Sequence, residues 1–521
     1  MSPAAGSLDA IVVGSGPNGL TAAITLARAG YRVHVIEAAE VPGGAVRSAC
    51  LTLPGFVHDV CSAVYPMGAG SPVSRRLPLG EHGLAWVQAD LALAHPLEDG
   101  RAGVLGRSLP ETVTHLEGDG EAYAALVGDL VERWRSLLDA ADLGSGAPST
   151  SASRRRAAAW RVVRPGYALL RTASAAVRPA QGLAMSRFRT DVGRALWAGL
   201  AAHGMQPLDR FATGGFALSL AAAAHVVGWP FVRGGAQRLT DALLEVLRAA
   251  GGTIETGHPV RSLEELPPAR AVLLDVSPAQ LLRLARDHFP DRYRRWLGRF
   301  RRGPAAFKVD YALVSSIPWR AEACRRAGVV HVGGTLPEIA RSLEEAWSGR
   351  LPARPFVLVA QPTSSDPSRV PPGTTHHVAW AYCLVPRGSR SDMSAAIEAQ
   401  IERFAPGFRD CVLARHIRDP GVLESDNANL EGGDIGGGAC DWRQLLVRPA
   451  PRISPWSTPD PRLFLCSAST PPGPGVHGVC GYLAARAALR GVLRDPRRDA
   501  VRRALRRALR RSLRRARPDR G

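Results

Sequence analysis

The sequence predicts an α/β chain in which a parallel, dinucleotide-binding sheet is assembled from separated segments and interleaved with a second, mixed domain. Three observations carry this. A glycine-rich turn, Gly14 to Gly19, joins an apolar strand to a helix near the N-terminus. Two further buried-strand patterns, 271–276 and 463–467, return far along the chain. The long stretches between these returns supply the second domain.

The first unit reads residue by residue. Leu8 to Val13 is a short apolar strand, Leu20 to Ala29 a helix stopped by Gly30, and Tyr31 to Ile36 a second strand ending in Glu37. Between strand and helix lies Gly14-Ser15-Gly16-Pro17-Asn18-Gly19. Gly14 permits the tight turn, Gly16 the close approach of a diphosphate, and Gly19 the packing of helix on strand. The helix N-terminus offers N–H groups and the positive end of its dipole to the phosphates. Glu37, followed by Ala38, stands at the distance from the turn where an acid binds a ribose. Gly43-Gly44 and Arg47 come next. A bare Gly-Gly backbone shortly after the ribose acid, with an arginine beside it, suits an extended FAD and favours it over NAD.

Later segments return to the same sheet. Phe231 to Gln237 opens a helix, Leu239 to Ala249, which Gly251-Gly252 ends before Thr253-Ile254-Glu255 and the Pro259-Val260 loop. Ala271 to Val276 is an unbroken apolar run, as expected of a strand covered on both faces. Leu463 to Ser467 is another. It leads into the proline- and glycine-rich turn 471–478 and a helix running to Leu489. Gly475, Val476 and His477 in that turn are placed at the flavin end.

Composition is that of a globular protein with room for two domains, 521 residues at 45% hydrophobic and 21% charged. No run of apolar residues is long enough to span a bilayer, the longest candidate being Phe216 to Val227, read as a buried helix. No signal peptide is evident, and the eight cysteines contain no CxxC, which argues against a zinc site or a dithiol pair. A cytoplasmic chain with reduced thiols is expected. Lys308 is the single lysine, which disfavours Schiff-base chemistry.

The segments GSGPNGL, EAAEVPGGAVRS, LTLPGFVHDVCSAVYP, VRGGAQRLTDAL, GPAAFKVDYAL, NLEGGDIGGG and LFLCSASTPPGPGVHGVCGYLAA together resemble the phytoene desaturase-like FAD oxidoreductases. Within them the resemblance is closest to the branch of pyridine nucleotide-disulfide oxidoreductase domain-containing protein 2 and its bacterial relatives. It runs from Leu8 to Leu489. It implies a glutathione reductase-like, phytoene desaturase-like architecture: an FAD-binding domain of 1–75, 228–300 and 451–490, a substrate domain of 76–227 and 301–450, and a tail of 491–521. It also implies oxidoreductase activity of dehydrogenase or desaturase type on an apolar small molecule. FAD is then held by Gly14, Ser15, Gly16, Pro17, Asn18, Gly19, Glu37, Ala38, Gly43, Gly44, Arg47, Val260, Gly475, Val476 and His477. Relatives carry an unbroken glycine run where this chain has Gly473-Pro474-Gly475, and Pro474 removes one N–H. The loop 432–438 is glycine-rich but follows no apolar strand, so no second nucleotide site is read there.

Catalysis by hydride transfer to a flavin depends on placement more than on a side-chain catalyst. If a base is used, the candidates are His58, His331 and above all His477, while Asp59 and Cys61 read as packing residues. An amine oxidase is a weaker alternative, against which the lack of a water-activating lysine and the CSASTPPGPGVHG ending weigh; a flavoprotein with a structural or partner-binding role is another. Gly144 to Ser151 reads as a linker, and the arginines from Arg154 to Arg178 as a solvated helix face or, less readily, a membrane-surface helix. Residues 490–521 hold 14 arginines and three aspartates. Leu505, Leu509 and Leu513 drift slowly around a helix among arginines, a pattern suited to an anionic membrane surface and less to nucleic acid.

Overall fold

A computed structural model describes residues 8–142 and 167–495. The linker at 144–151, the arginines from 154 to 164 and the basic repeat at 501–515 lie outside them.

Two large sheets are built from strands that interleave along the chain. In order these are β1 (Leu8–Val13), β2 (Val33–Ile36), β3 (Leu91–Pro96), β4 (Ala102–Leu105), β5 (Thr253–Glu255) and β6 (Ala269–Leu274). They continue with β7 (Ala305–Leu313), β8 (Ala327–Val332), β9 (Val357–Ala360), β10 (His377–Val385), β11 (Val412–Arg418) and β12 (Leu463–Leu465). The helices that position the site are α1 (Pro17–Ala27), α2 (Asp191–Ala202), α3 (Gly214–Val227), α4 (Gln237–Ala249) and α5 (Val479–Arg490).

The first sheet has the order β12–β6–β1–β2–β5, with every pair parallel. Successive residues of a strand face opposite ways. Ala10 and Val12 therefore pack against α1, α4 and α5, whereas Ile11 and Val13 enter a second cluster with Leu281, Phe289 and Tyr293. A strand buried on both faces must be apolar throughout, which is why these runs do not alternate. Helix α1 starts at Pro17, three residues earlier than the apolar periodicity suggested, because Gly16 serves as its N-cap and Pro17 fits the first helical position. The strands at 269–274 and 463–465 begin or end up to two residues from their expected limits.

The second sheet has the order β11–β7–β10–β9–β8–β3–β4, antiparallel except where β8 meets β3. One of its faces, carrying Phe307, Val309, Tyr311 and Cys383, packs into its own core. The other carries Val329, Leu358, Ala360 and Trp380, and is covered by α2 and α3. Helix α3 is a buried helix, as its apolar run predicted.

Candidate active site

The turn after β1 is set by contacts that only glycine permits. Gly14 has φ +98°, and a Cβ on Gly19 would stand 2.1 Å from the Gly14 carbonyl oxygen. Helix α1 has no side-chain cap of its own, since its N-cap is Gly16. An acceptor comes instead from Asp275, just beyond β6, whose Oδ2 takes the Gly19 N–H at 2.9 Å. Burial, reinforced by the charge of Glu37 and opposed by the Gly19 amide, pushes the Asp275 carboxyl up to about 7.

Glu37 closes the turn. Its Oε2 accepts the N–H of Ser15 at 2.7 Å and the Ser15 hydroxyl at 2.5 Å, and Oε1 accepts the Ala39 N–H at 2.9 Å. Ser15 Oγ in turn accepts the Gly43 N–H at 3.0 Å, which ties the Gly43-Gly44 loop to the first turn. Gly44, at φ +57°, lies so close that its Cβ would be 3.2 Å from the Gly16 Cα. Arg47 donates from Nε to the Gly44 carbonyl at 2.9 Å and from a terminal nitrogen to the Asp426 carbonyl at 3.2 Å, joining this loop to residues 425–430. The His258 N–H donates to the Glu37 carbonyl at 2.9 Å, which brings Pro259 and Val260 beside Ala38 and Ala39.

The far end of the chain arrives at the same place. Helix α5 packs on α1 with backbone contact, since a Cβ on Gly481 would be 1.8 Å from the Asn18 carbonyl oxygen. The turn before α5 then brings Pro474, Gly475 and Val476 to the wall of one cavity with Gly14, Gly16, Pro17, Asn18, Glu37, Ala38, Gly44, Arg47 and Val260. Ser15, Gly19 and Gly43 support that wall from behind through the contacts above. His477 does not join it. Its Nε2–H donates to the Gly473 carbonyl at 3.2 Å, and Nδ1 accepts the Val479 N–H at 3.0 Å. Burial lowers its pKa to about 4, so the ring is neutral and both nitrogens hold the start of α5. Both ring nitrogens of His477, expected to be catalytic, are thus engaged with the backbone, and the residue stands off the cavity wall.

The cavity has a volume of about 750 Å³, within the range of cofactor and substrate sites. It runs from the glycine turn to the second sheet, where the strand register sets its floor. Lys308, Tyr382, Leu358 and His331 are paired in sequence across β7, β10, β9 and β8, so they occupy one row of one face. Asp310, Trp380, Ala360 and Val329 form the adjacent row. Trp380, Tyr382, Leu358 and Val329 line the cavity, together with Leu220 and Trp229 above them. Cys61, expected only to pack, lines it too.

The other histidine candidates are structural. His58 is buried, is hydrogen-bonded through Nε2 to the Thr52 hydroxyl at 2.7 Å, and is held to about 3 by burial and then by Lys308 and Arg369. His331 is fully buried at the end of the floor row, under α2, and meets His203, Nε2 to Nε2 at 3.0 Å. His203, at the end of α2, does line the cavity. It went unnoticed in the sequence because nothing local distinguishes it; only the packing of α2 on β8 brings it there. Lys308 is also more than a solitary basic residue. Buried on the floor, it donates to the Asp59 carbonyl at 3.0 Å, pairs with Asp310, and lies 5.3 Å from the centre of the Trp380 ring. The 432–438 segment is a loop wound on the Asp434 carboxylate, which accepts the amides of Gly303, Gly436 and Gly438, and its Gly437 touches the cavity.

Comparison with known proteins agrees with this geometry. The NAD(P)-binding Rossmann-like domain family matches residues 12–77. The chain is 27% identical to pyridine nucleotide-disulfide oxidoreductase domain-containing protein 2 of Mus musculus, over 92% of each chain. It is 27% identical to the phytoene dehydrogenase of Streptomyces griseus, over 78% of this chain and 77% of that one. The resemblance to phytoene desaturase-like oxidoreductases therefore holds along most of the sequence. Among solved structures the fold matches an oxidoreductase from Methanosarcina mazei with a TM-score of 0.61 at 17% identity, covering 93% of this chain and 100% of that one. It also matches putrescine oxidase bound to putrescine with a TM-score of 0.55 at 19% identity, covering 93% of this chain and 98% of that one.

Proposed function

We propose that the chain is an FAD-dependent oxidoreductase of the dehydrogenase or desaturase type, acting on an apolar organic substrate. The observation that carries this reading is one continuous cavity with a glycine cradle at one end and an apolar, aromatic floor at the other. The cradle fits a dinucleotide. A Cβ at Gly16 would meet Asp275 Oδ2 at 2.6 Å, one at Gly44 would approach Gly16, and the buried Asn18 Oδ1 has no partner in the protein. The homologues are oxidoreductases, which supports the enzyme class.

In this reading the first turn of α1 and Asn18 hold the diphosphate, Glu37 the ribose, Val260 borders the adenine side, and Arg47, Gly44, Gly475 and Val476 the flavin side. Bound FAD supplies the two-electron acceptor. The protein then orients the substrate against it and keeps water out. Trp229, Trp380, Leu220, Leu358 and Val329 do so through apolar contact, and His203 offers an imidazole at that end. Burial lowers the His203 pKa to about 4. It is thus a neutral donor or acceptor near neutrality.

The stacked Trp380–Tyr382 pair on the cavity wall, with ring centres 5.8 Å apart, favours an amine oxidase-like enzyme as the second reading. Anaerobic mixing with apolar alkenes and polyenes, and separately with primary amines, discriminates the two by bleaching of the flavin band. Bleaching by the apolar set supports the desaturase reading, and bleaching by amines alone favours the other. A flavoprotein that neither set reduces points to a structural or partner-binding role. Attachment to an anionic membrane through 501–515 belongs to the same proposal. Loss of co-sedimentation with anionic vesicles on removing residues 496–521 is the expected result, and unchanged sedimentation contradicts it.

A further inference from the structure

Three acids line the cavity: Glu37, assigned to the ribose, Asp426, paired with Arg418, and Asp275. Asp275 has no role so far. It is buried, lines the cavity, and reaches from the end of β6 to the first turn of α1. Its Oδ2 accepts the Gly19 N–H at 2.9 Å and stands 2.6 Å from the point where a Cβ on Gly16 would be. That oxygen therefore sits beside the bare backbone that a diphosphate must approach.

The surroundings offer Asp275 no compensating cation. Glu37, at the end of β2, is a like charge. Helix α1 contributes the Gly19 amide and no charged side chain in its first turn. Cys466, after β12, and Cys480, in α5, are the thiols close enough to feel its charge, and Cys480 donates to the Thr470 and Gly473 carbonyls. Asn429 donates to its backbone carbonyl at 2.8 Å rather than to its carboxylate. Glu431, bonded to the neighbouring Ser277, is paired with Arg302. Arg47 is spent on the carbonyls of Gly44 and Asp426. Among the described residues no ion pair holds Asp275.

A carboxylate in this position repels an incoming diphosphate, and water cannot screen it. A neutral carboxyl does the opposite. It still accepts the Gly19 N–H and gains an O–H that can donate to a phosphate oxygen. We propose that Asp275 is a proton-linked element of the dinucleotide site, neutral when the diphosphate is bound, so that FAD binding takes up one proton from solvent. The inference rests on the FAD reading above. Burial and Glu37 hold the carboxyl at about 7 before any phosphate arrives, so the linkage falls near neutrality. The phosphates raise it further. Below about pH 7 both states are protonated and affinity is flat. Above it each pH unit weakens FAD by about tenfold, until the pKa of the complex is reached.

The test is FAD affinity of the full-length protein, followed by quenching of flavin fluorescence from about pH 6 to about pH 9, with calorimetry in two buffers of different ionisation enthalpy. The expected result is a slope approaching tenfold per unit above neutrality and about one proton taken up per FAD. Asp275→Asn, which keeps the acceptor for Gly19, should bind FAD more tightly than wild type at alkaline pH and abolish the slope. His258 also lines the cavity, and a slope that survives in Asp275→Asn but vanishes in His258→Gln would assign the proton there and overturn the proposal. Wild-type affinity that is flat with no proton uptake overturns it even if the variant does not fold. Protein that binds no FAD at any pH sinks the flavin reading itself, and this inference with it.

Discussion

His203 and His331 face each other through Nε2 atoms 3.0 Å apart, the first at the cavity wall and the second buried under α2. One ring donates and the other accepts, so each fixes the tautomer of its neighbour. Burial lowers His203 to about 4 and His331 well below its ordinary value. Histidine nitrogen resonances should therefore report both rings neutral down to about pH 5. His331→Leu should leave a buried His203 nitrogen unpartnered and cost about 1–3 kcal/mol. Urea unfolding checks the cost, and a His203 ring that titrates near its ordinary value contradicts the assignment.

Acid should weaken the fold well above the carboxylate range. His58, His95, His203, His225 and His477 are all depressed by burial, to between about 3 and about 4. Their folded values lie below the unfolded one, so from about pH 6.5 down to about pH 4 the unfolded chain binds protons the native state does not. Each such proton removes about 1.4 kcal/mol per pH unit. Asp275 is raised instead, and opposes this with a single proton over the same interval. The net prediction is a stability falling by several kcal/mol between about pH 6.5 and about pH 5 in urea melts. A flat profile there would mean these rings are not buried as described.

Gly481 tests whether the cradle is held from outside. A Cβ there would lie 1.8 Å from the Asn18 carbonyl oxygen, so α5 must move off α1. Gly481→Ala should cost roughly 1–3 kcal/mol and weaken flavin retention, although Gly481 is not on the cavity wall. Unchanged flavin content in a destabilised variant would confine its role to packing.

Arg369 ties the segment after β9 to Asp59 and to the chain entering α4. Its side chain is fully buried, with Nε 2.8 Å from Asp366, one terminal nitrogen 3.0 Å from Asp59, and the other donating to the Val232 carbonyl at 2.8 Å. Asp59 also accepts the Ala236 N–H at 2.7 Å, ahead of α4. Arg369→Leu strands a buried Asp59 and should cost about 3–5 kcal/mol. Thermal unfolding provides the measurement, and a shift too small to resolve would show that the network is not needed for the fold.

The dinucleotide half of this site was legible because its signals are local. Strand, Gly14 to Gly19, helix, strand and Glu37 follow one another within 30 residues, and each glycine answers a steric demand of its own turn. The apolar runs at β6 and β12 were legible for a similar reason, being buried on both faces. The other half was not. Trp380, Leu358 and Val329 meet only through strand register, and His203 only because α2 lies on β8. Asp275 finds its partner Gly19 at a separation of 256 residues. His477 shows the opposite failure. Its neighbours Gly475 and Val476 reach the cavity, but the turn rotates its ring into the backbone, which adjacency in sequence cannot reveal.

The central claim is that the Gly14–Gly19 turn, Glu37, Gly44 and the 474–476 turn together hold FAD. The most direct measurement is the visible spectrum of the purified full-length protein, with release and quantification of its flavin. Flavin absorbance is expected, close to one FAD per chain, with marked loss of it in Glu37→Ala and the fold retained by circular dichroism. Colourless protein that added FAD cannot reconstitute contradicts it.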